Sequence, residues 1–233
     1  MKVGERWFRS GGEGWYPGLY EWFFSNTQRG TALRAREEEI VYDMLADALR
    51  SGHSVVEFGS GTGNYTVPVA RRCAGVVAVE VSEAMNGYLR ERLLREGLSN
   101  VGVRLGRVED GVGTAESFDG ALAMGPFFYV RDLEEGLRAL AAALRPGGWT
   151  VFGVPLLTPE GRFFAMNELA ARRRVYLRSS GETMRSVEEA GLEVQRSGIA
   201  GTSRKGLTLV VQARVSSPDG DNGTYSGAVA GRL

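Results

Sequence analysis

The chain has 233 residues, 28 Lys and Arg against 28 Asp and Glu, and 43% hydrophobic residues, enough to bury a sizeable core within one large domain. The even balance gives no general basic field to draw it to nucleic acid or an anionic membrane, so any such binding needs a local patch. The single cysteine, Cys73, excludes an intramolecular disulfide framework and a thiolate metal cluster.

The apolar runs reach only about strand length, and Lys2, Glu5 and Arg6 lead into no signal-peptide core, so a cytoplasmic protein without a membrane span is expected. Trp15, Tyr16, Leu19, Tyr20, Phe23 and Phe24 recur at helical spacing, as a buried stripe or as a lid. Glu37 to Leu49 follows with Ile40, Val41, Met44, Leu45 and Ala48 on one face, so residues 1–52 read as an N-terminal helical cap or lid. From there strands and helices alternate: strand Val55–Phe58, helix Tyr65–Cys73, strand Val76–Val81, helix Ala84–Leu94, strands Val101–Leu105 and Phe118–Met124, helix Leu133–Leu144. Arg145-Pro146-Gly147-Gly148 stops that helix ahead of a strand at Trp149–Val154. Helices at Phe163–Leu177 and Glu182–Ala190 then break the alternation before strands at Leu192–Gln195 and Leu207–Ala213. The connection from Gly201 to Gly206 is too short for a parallel crossover, so the last strand should run antiparallel. The expected class is α/β, Rossmann-like, with a mostly parallel sheet covered by helices on both faces. Its core spans residues 53–215, with an inserted segment at about 156–180, and the Gly- and Ser-rich residues 216–233 read as a disordered tail.

The turn after the first strand carries Gly59, Gly61 and Gly63, which lets the backbone bend tightly and approach a ligand. Dinucleotides and S-adenosylmethionine both use such turns. A dinucleotide fingerprint needs glycine at position 64, where Asn64 stands. Glu80, ending the second strand, can accept from both hydroxyls of a ribose lying over the sheet edge.

Glu57-Phe58-Gly59-Ser60-Gly61-Thr62-Gly63, Val79-Glu80-Val81-Ser82 and Leu144-Arg145-Pro146-Gly147-Gly148 together resemble the class I S-adenosylmethionine-dependent methyltransferases, especially the small-molecule branch with a type 11 domain. The likeness implies a seven-stranded sheet with an antiparallel final hairpin, S-adenosyl-L-methionine as cofactor and S-adenosyl-L-homocysteine as product. It also implies a cofactor site built from Glu57, Gly59, Ser60, Gly61, Gly63, Glu80, Val81, Val108, Glu109 and Met124. Glu57 would lie near the amino-acid end and Val108 on the adenine. Family members usually place an acid after the glycine that follows the third strand; here Gly106 is followed by Arg107, and Glu109 or Asp110 would substitute.

The segment Met124-Gly125-Pro126-Phe127-Phe128-Tyr129 should line the methyl-transfer site. It lacks the Asn or Asp with which enzymes acting on amide or nucleobase amines hold that amine. Methyl transfer from a sulfonium is an in-line displacement in which proximity and exclusion of water carry much of the rate, so a base is optional. Tyr16, Tyr20 and Tyr129 are the candidate polar groups, whereas His53 precedes the first strand and belongs to a surface loop at the opposite edge. Arg162, Arg172, Arg173, Arg174 and Arg178 either clamp an anionic substrate or form a solvated face, the second being favoured. The expected activity is methylation of a small-molecule N, O or C nucleophile without a metal. An RNA or protein methyltransferase and a non-catalytic cofactor-binding protein are the alternatives.

Overall fold

The computed structural model describes Gly18, Trp22 and residues 26–113, 115, 117–170 and 172–216. Tyr16, Tyr20 and the expected tail after residue 216 lie outside the described residues.

Helix α1 (Gln28–Ala48) starts nine residues before the expected Glu37, because the side chain of Thr27 caps it by accepting from the N–H of Gly30 at 3.0 Å. Its first half is mostly exposed or half-exposed, so no apolar stripe announces it. Next come β1 (Ser54–Phe58), α2 (Thr66–Ala70), β2 (Gly75–Glu80), α3 (Glu83–Arg95), β3 (Val101–Leu105) and β4 (Phe118–Ala123). A 3-10 turn at Pro126–Phe128 leads to α4 (Leu133–Ala143), then β5 (Leu144–Pro155), α5 (Pro159–Ala170), α6 (Ser180–Glu189), β6 (Leu192–Ala200) and β7 (Thr208–Val215).

The seven strands form one sheet in the order β3-β2-β1-β4-β5-β7-β6. Strands β1 to β5 pair in parallel, and β7 runs antiparallel to both β5 and β6, as the short connection required. Alternate residues serve opposite faces. Val56, Phe58, Ala121, Phe152 and Val154 pack with Leu137 and Leu140 of α4, while Val55, Leu122 and Val151 pack with Val41 and Leu45 of α1. The sheet order turns back between β1 and β4, and in open α/β sheets ligands bind above the carboxyl ends of strands at such a point.

Several boundaries differ from expectation for physical reasons. Helix α2 ends at Ala70 rather than Cys73, so it is little more than one turn and has a small dipole. Strand β5 begins at Leu144, because the Pro146-Gly147-Gly148 segment is a bulge inside the pairing with β4, with Gly147 at φ 74°. Strand β6 runs on to Ala200 past a shift between Val194 and Arg196; as an edge strand with much of its surface exposed it lacks clear alternation. Helix α5 spans Pro159–Ala170 instead of Phe163–Leu177 and stops before the arginine run, where Arg172 is left-handed at φ 59°.

Candidate functional site

Positive φ values of 71°, 53° and 89° at Gly59, Gly61 and Gly63 set the turn after β1. Two of these glycines are also closed in by neighbours. A Cβ on Gly59 would lie 2.7 Å from Pro126 Cδ, and one on Gly63 2.5 Å from Leu89 Cδ1 of α3. A Cβ on Gly61 would meet nothing within 4 Å, so on that side the turn is open. Arg92 of α3 holds the far side, donating to the Thr62 carbonyl at 3.1 Å and to Asn64 Oδ1 at 3.2 Å.

Two buried carboxylates stand behind the turn. Glu80 accepts from the Gly61 N–H at 3.0 Å and the Ser82 N–H at 2.9 Å, one on each oxygen, so it splints the turn to the end of β2. Burial raises its pKa against these backbone hydrogen bonds. Glu57 of β1 accepts from the Thr66 hydroxyl at 2.5 Å. Burial pushes its pKa up to about 8; the Thr66 bond opposes the shift and the nearby charge of Glu80 adds to it. The buried Ser60 hydroxyl has no hydrogen-bond partner among the described residues.

The folded protein therefore holds a proton on Glu57 that the unfolded chain releases near its ordinary value of 4.5. Such a group stabilises the fold at low pH and loses that contribution as pH rises toward about 8. The melting temperature of the cofactor-free protein should fall between pH 5.5 and 8, and Glu57→Gln should flatten that fall in scanning calorimetry. Parallel pH profiles would refute the assignment. Glu37, raised to about 7 by burial, and Glu80 act with the same sign, so some slope persists in the variant.

Of the other expected site residues, Val81 directly follows β2. Val108 is buried in the cluster that includes Phe58 and Val79. The Glu109 carboxylate pairs with Arg107 at 2.7 Å, and Asp110 accepts from the Arg107 N–H at 3.3 Å, so the arginine in the usual acidic position carries its own counter-charges. Met124 is buried, with its methyl packed against Gly153. The Tyr129 hydroxyl donates to Glu168 of α5 at 2.9 Å, and Arg173 grips the same carboxylate at 2.5 and 2.9 Å. His53 sits before β1, away from the turn, but it is more than a surface-loop residue: its Nδ1 accepts from Trp149 Nε1 at 3.2 Å and the Arg50 N–H at 3.3 Å.

The inserted segment is fastened over the turn after β4. Phe164 meets Phe128 edge to face at 5.6 Å, and the Tyr176 N–H donates to the Phe128 carbonyl at 2.9 Å. Arg178 donates to the carbonyls of Phe127, Val130 and Arg131 at 3.3, 2.7 and 3.1 Å. Arg173 and Arg178 are thus neither a solvated face nor free clamps, whereas Arg162, Arg172 and Arg174 are exposed. The ends of the segment meet, with the Leu157 N–H donating to the Arg178 carbonyl at 2.7 Å and the Arg178 N–H to the Pro155 carbonyl at 3.1 Å. Glu160 accepts from the N–H and hydroxyl groups of both Thr202 and Ser203, tying α5 to the β6–β7 hairpin.

Sequence reasoning missed Arg92, Leu89 and Pro126 as walls of the turn. It also missed the bond from Tyr65 to Glu37 at 2.9 Å that docks α1 beside the turn. Only the apolar spacing of α3 hinted at Leu89.

Residues 55–148 match the family model described as a methyltransferase domain. Over 175 residues the chain is 31% identical to a 23S rRNA (uracil(1939)-C(5))-methyltransferase of Alkalilimnicola ehrlichii, covering 72% of this chain and 32% of that protein. It is 31% identical over 113 residues to a ubiquinone biosynthesis O-methyltransferase of Methylocella silvestris, covering 48% of this chain and 44% of that protein. The chain thus spans only about a third to a half of the length of these curated relatives. A solved S-adenosylmethionine-dependent methyltransferase from Aquifex aeolicus superposes with a TM-score of 0.65 over 85% of this chain and 98% of that one, at 19% identity, a likeness of fold.

Proposed function

We infer that this chain, which belongs to the class I S-adenosylmethionine-dependent methyltransferases, binds S-adenosylmethionine at the turn from Gly59 to Gly63 and transfers its methyl group to a small-molecule N, O or C nucleophile. The observation that carries this reading is the pair of buried carboxylates, Glu57 and Glu80, behind a turn open at Gly61. S-adenosylmethionine brings a sulfonium and an ammonium, and a ligand cation offsets the cost of holding these carboxylates ionised in a buried site. The Ser60 hydroxyl, without a partner among the described residues, adds a polar contact for the same ligand. A dinucleotide would instead bring its pyrophosphate to the glycine turn, beside Glu57. When bound, the cofactor supplies an electrophilic methyl group.

In this reading Glu80 holds the ribose, Glu57 lies near the amino-acid end, and Val81, Val108, Glu109 and Met124 complete the cofactor wall. Tyr129, oriented by Glu168, is the polar group offered to the acceptor. Buried Phe127 and Phe128 exclude water from the transfer. The insertion over residues 156–180 forms the acceptor pocket.

The test is an incubation of the protein with a cell extract and methyl-labelled S-adenosylmethionine. A labelled small metabolite is expected, and label confined to RNA or protein would overturn the acceptor class. Calorimetry should show binding of S-adenosylmethionine and none of NADH; the reverse order would overturn the cofactor.

The rRNA-methylating relative gives a second reading, methylation of an RNA base. Carbon methylation of a pyrimidine ring calls for an activated nucleophile to add to the ring first. The only thiol, Cys73, precedes β2 at the opposite edge of the sheet from the turn, and burial pushes its pKa up. This favours the small-molecule reading.

A further inference from the structure

The end of the molecule that carries α5 has a segregated charge. Residues 156–180 and 201–206 hold seven basic residues and two acidic ones, in a chain whose charges balance overall. Both acids are already committed, Glu160 to Thr202 and Ser203, and Glu168 to Tyr129 and Arg173. The bonds of Glu160 also bring the exposed Arg204 and Lys205 of the hairpin to the first turn of α5.

Helix α5 has two unlike sides. Phe164 and Glu168 hold the turn after β4. Phe163, Met166 and Leu169, on the other arc, are 44%, 61% and 66% exposed, and Leu157 just before the helix is 50% exposed. Arg162 shares that arc, and Arg172 and Arg174 follow it.

We propose that α5 is an interfacial docking element that seats this end of the protein on an anionic phospholipid membrane. Leu157, Met166 and Leu169 enter the boundary between headgroups and acyl chains, while Arg162, Arg172, Arg174, Arg204 and Lys205 meet the headgroup phosphates. Apolar side chains rimmed by arginine and lysine suit this boundary, where long basic side chains reach back to the phosphates. A second copy is a poorer occupant, because a two-fold interface would set the basic rim against itself. RNA would satisfy the rim and leave Met166 and Leu169 without a gain.

The test is co-sedimentation of the full chain with vesicles of phosphatidylcholine alone and of equal parts phosphatidylcholine and phosphatidylglycerol. Binding to the anionic vesicles is expected to be at least tenfold tighter and to weaken with salt. Met166→Asp with Leu169→Asp should lose at least tenfold, with the thermal melt and S-adenosylmethionine affinity as controls for folding. Arg172→Glu with Arg174→Glu should lose a similar factor should the first variant fail to fold. Equal binding to both vesicles, wild-type binding by a folded variant, or a dimer in gel filtration that Met166→Asp with Leu169→Asp dissolves would each overturn the proposal. Vesicle binding is read without turnover, so its failure leaves the methyl-transfer reading standing.

Discussion

Replacing Glu80 by alanine is expected to weaken S-adenosylmethionine binding at least tenfold and on the order of a hundredfold. A hydrogen bond to a charged group contributes about 1.5–3 kcal/mol, and about 1.4 kcal/mol is one decade of affinity. The variant loses the carboxylate proposed to hold the ribose and also the two bonds that splint Gly61 and Ser82. Glu80→Gln should fall between. Its amide keeps one acceptor oxygen, but its NH2 group must face either the Gly61 or the Ser82 N–H, donor against donor. Calorimetric titration separates the three proteins, and an affinity unchanged in Glu80→Ala would sink the cofactor assignment.

Gly120→Ala is expected to cost stability rather than binding. A Cβ on Gly120, in β4, would lie 2.1 Å from two ring atoms of Trp149 in the next strand. The indole has little freedom to retreat, because it is 2% exposed and its N–H is engaged by His53. Overpacking of this kind costs about 1–3 kcal/mol or more, and a chain of this size loses roughly 2–4 °C of melting temperature per kcal/mol. A drop of about 6–12 °C is therefore expected for a cost near the top of that range. Gly52→Ala, where a Cβ meets nothing within 4 Å, is the control and should melt near the wild type. Equal melting temperatures for the two variants would show that Trp149 can move aside.

The succession of strands along the chain and the antiparallel end were legible because most strands carry an apolar run bounded by turn residues. The connection from Gly201 to Gly206 left a single geometry for β7. Ends without an apolar signature were not legible, such as the exposed start of α1 and the outer half of β6. The turn at Gly59 to Gly63 was legible as a ligand loop, yet not what presses on it: Pro126 and Leu89 arrive from remote segments. The arginine run misled for the same reason. Nothing local distinguishes Arg178, which holds three carbonyls of the turn after β4, from Arg174, which is exposed.

Because the Leu157 N–H donates to the Arg178 carbonyl and the Arg178 N–H to the Pro155 carbonyl at the mouth of the insertion, residues 158–177 leave the sheet and return to it at almost the same point. A loop whose ends are already joined can change in length at little entropic cost, since each doubling adds only about 0.6 kcal/mol. The insertion is therefore a cassette. If the insertion forms the acceptor pocket as proposed, transplanting it between relatives together with Pro155, Leu157 and Arg178 is expected to change the acceptor preference while β5, β7 and the turn from Gly59 to Gly63 stay as they are.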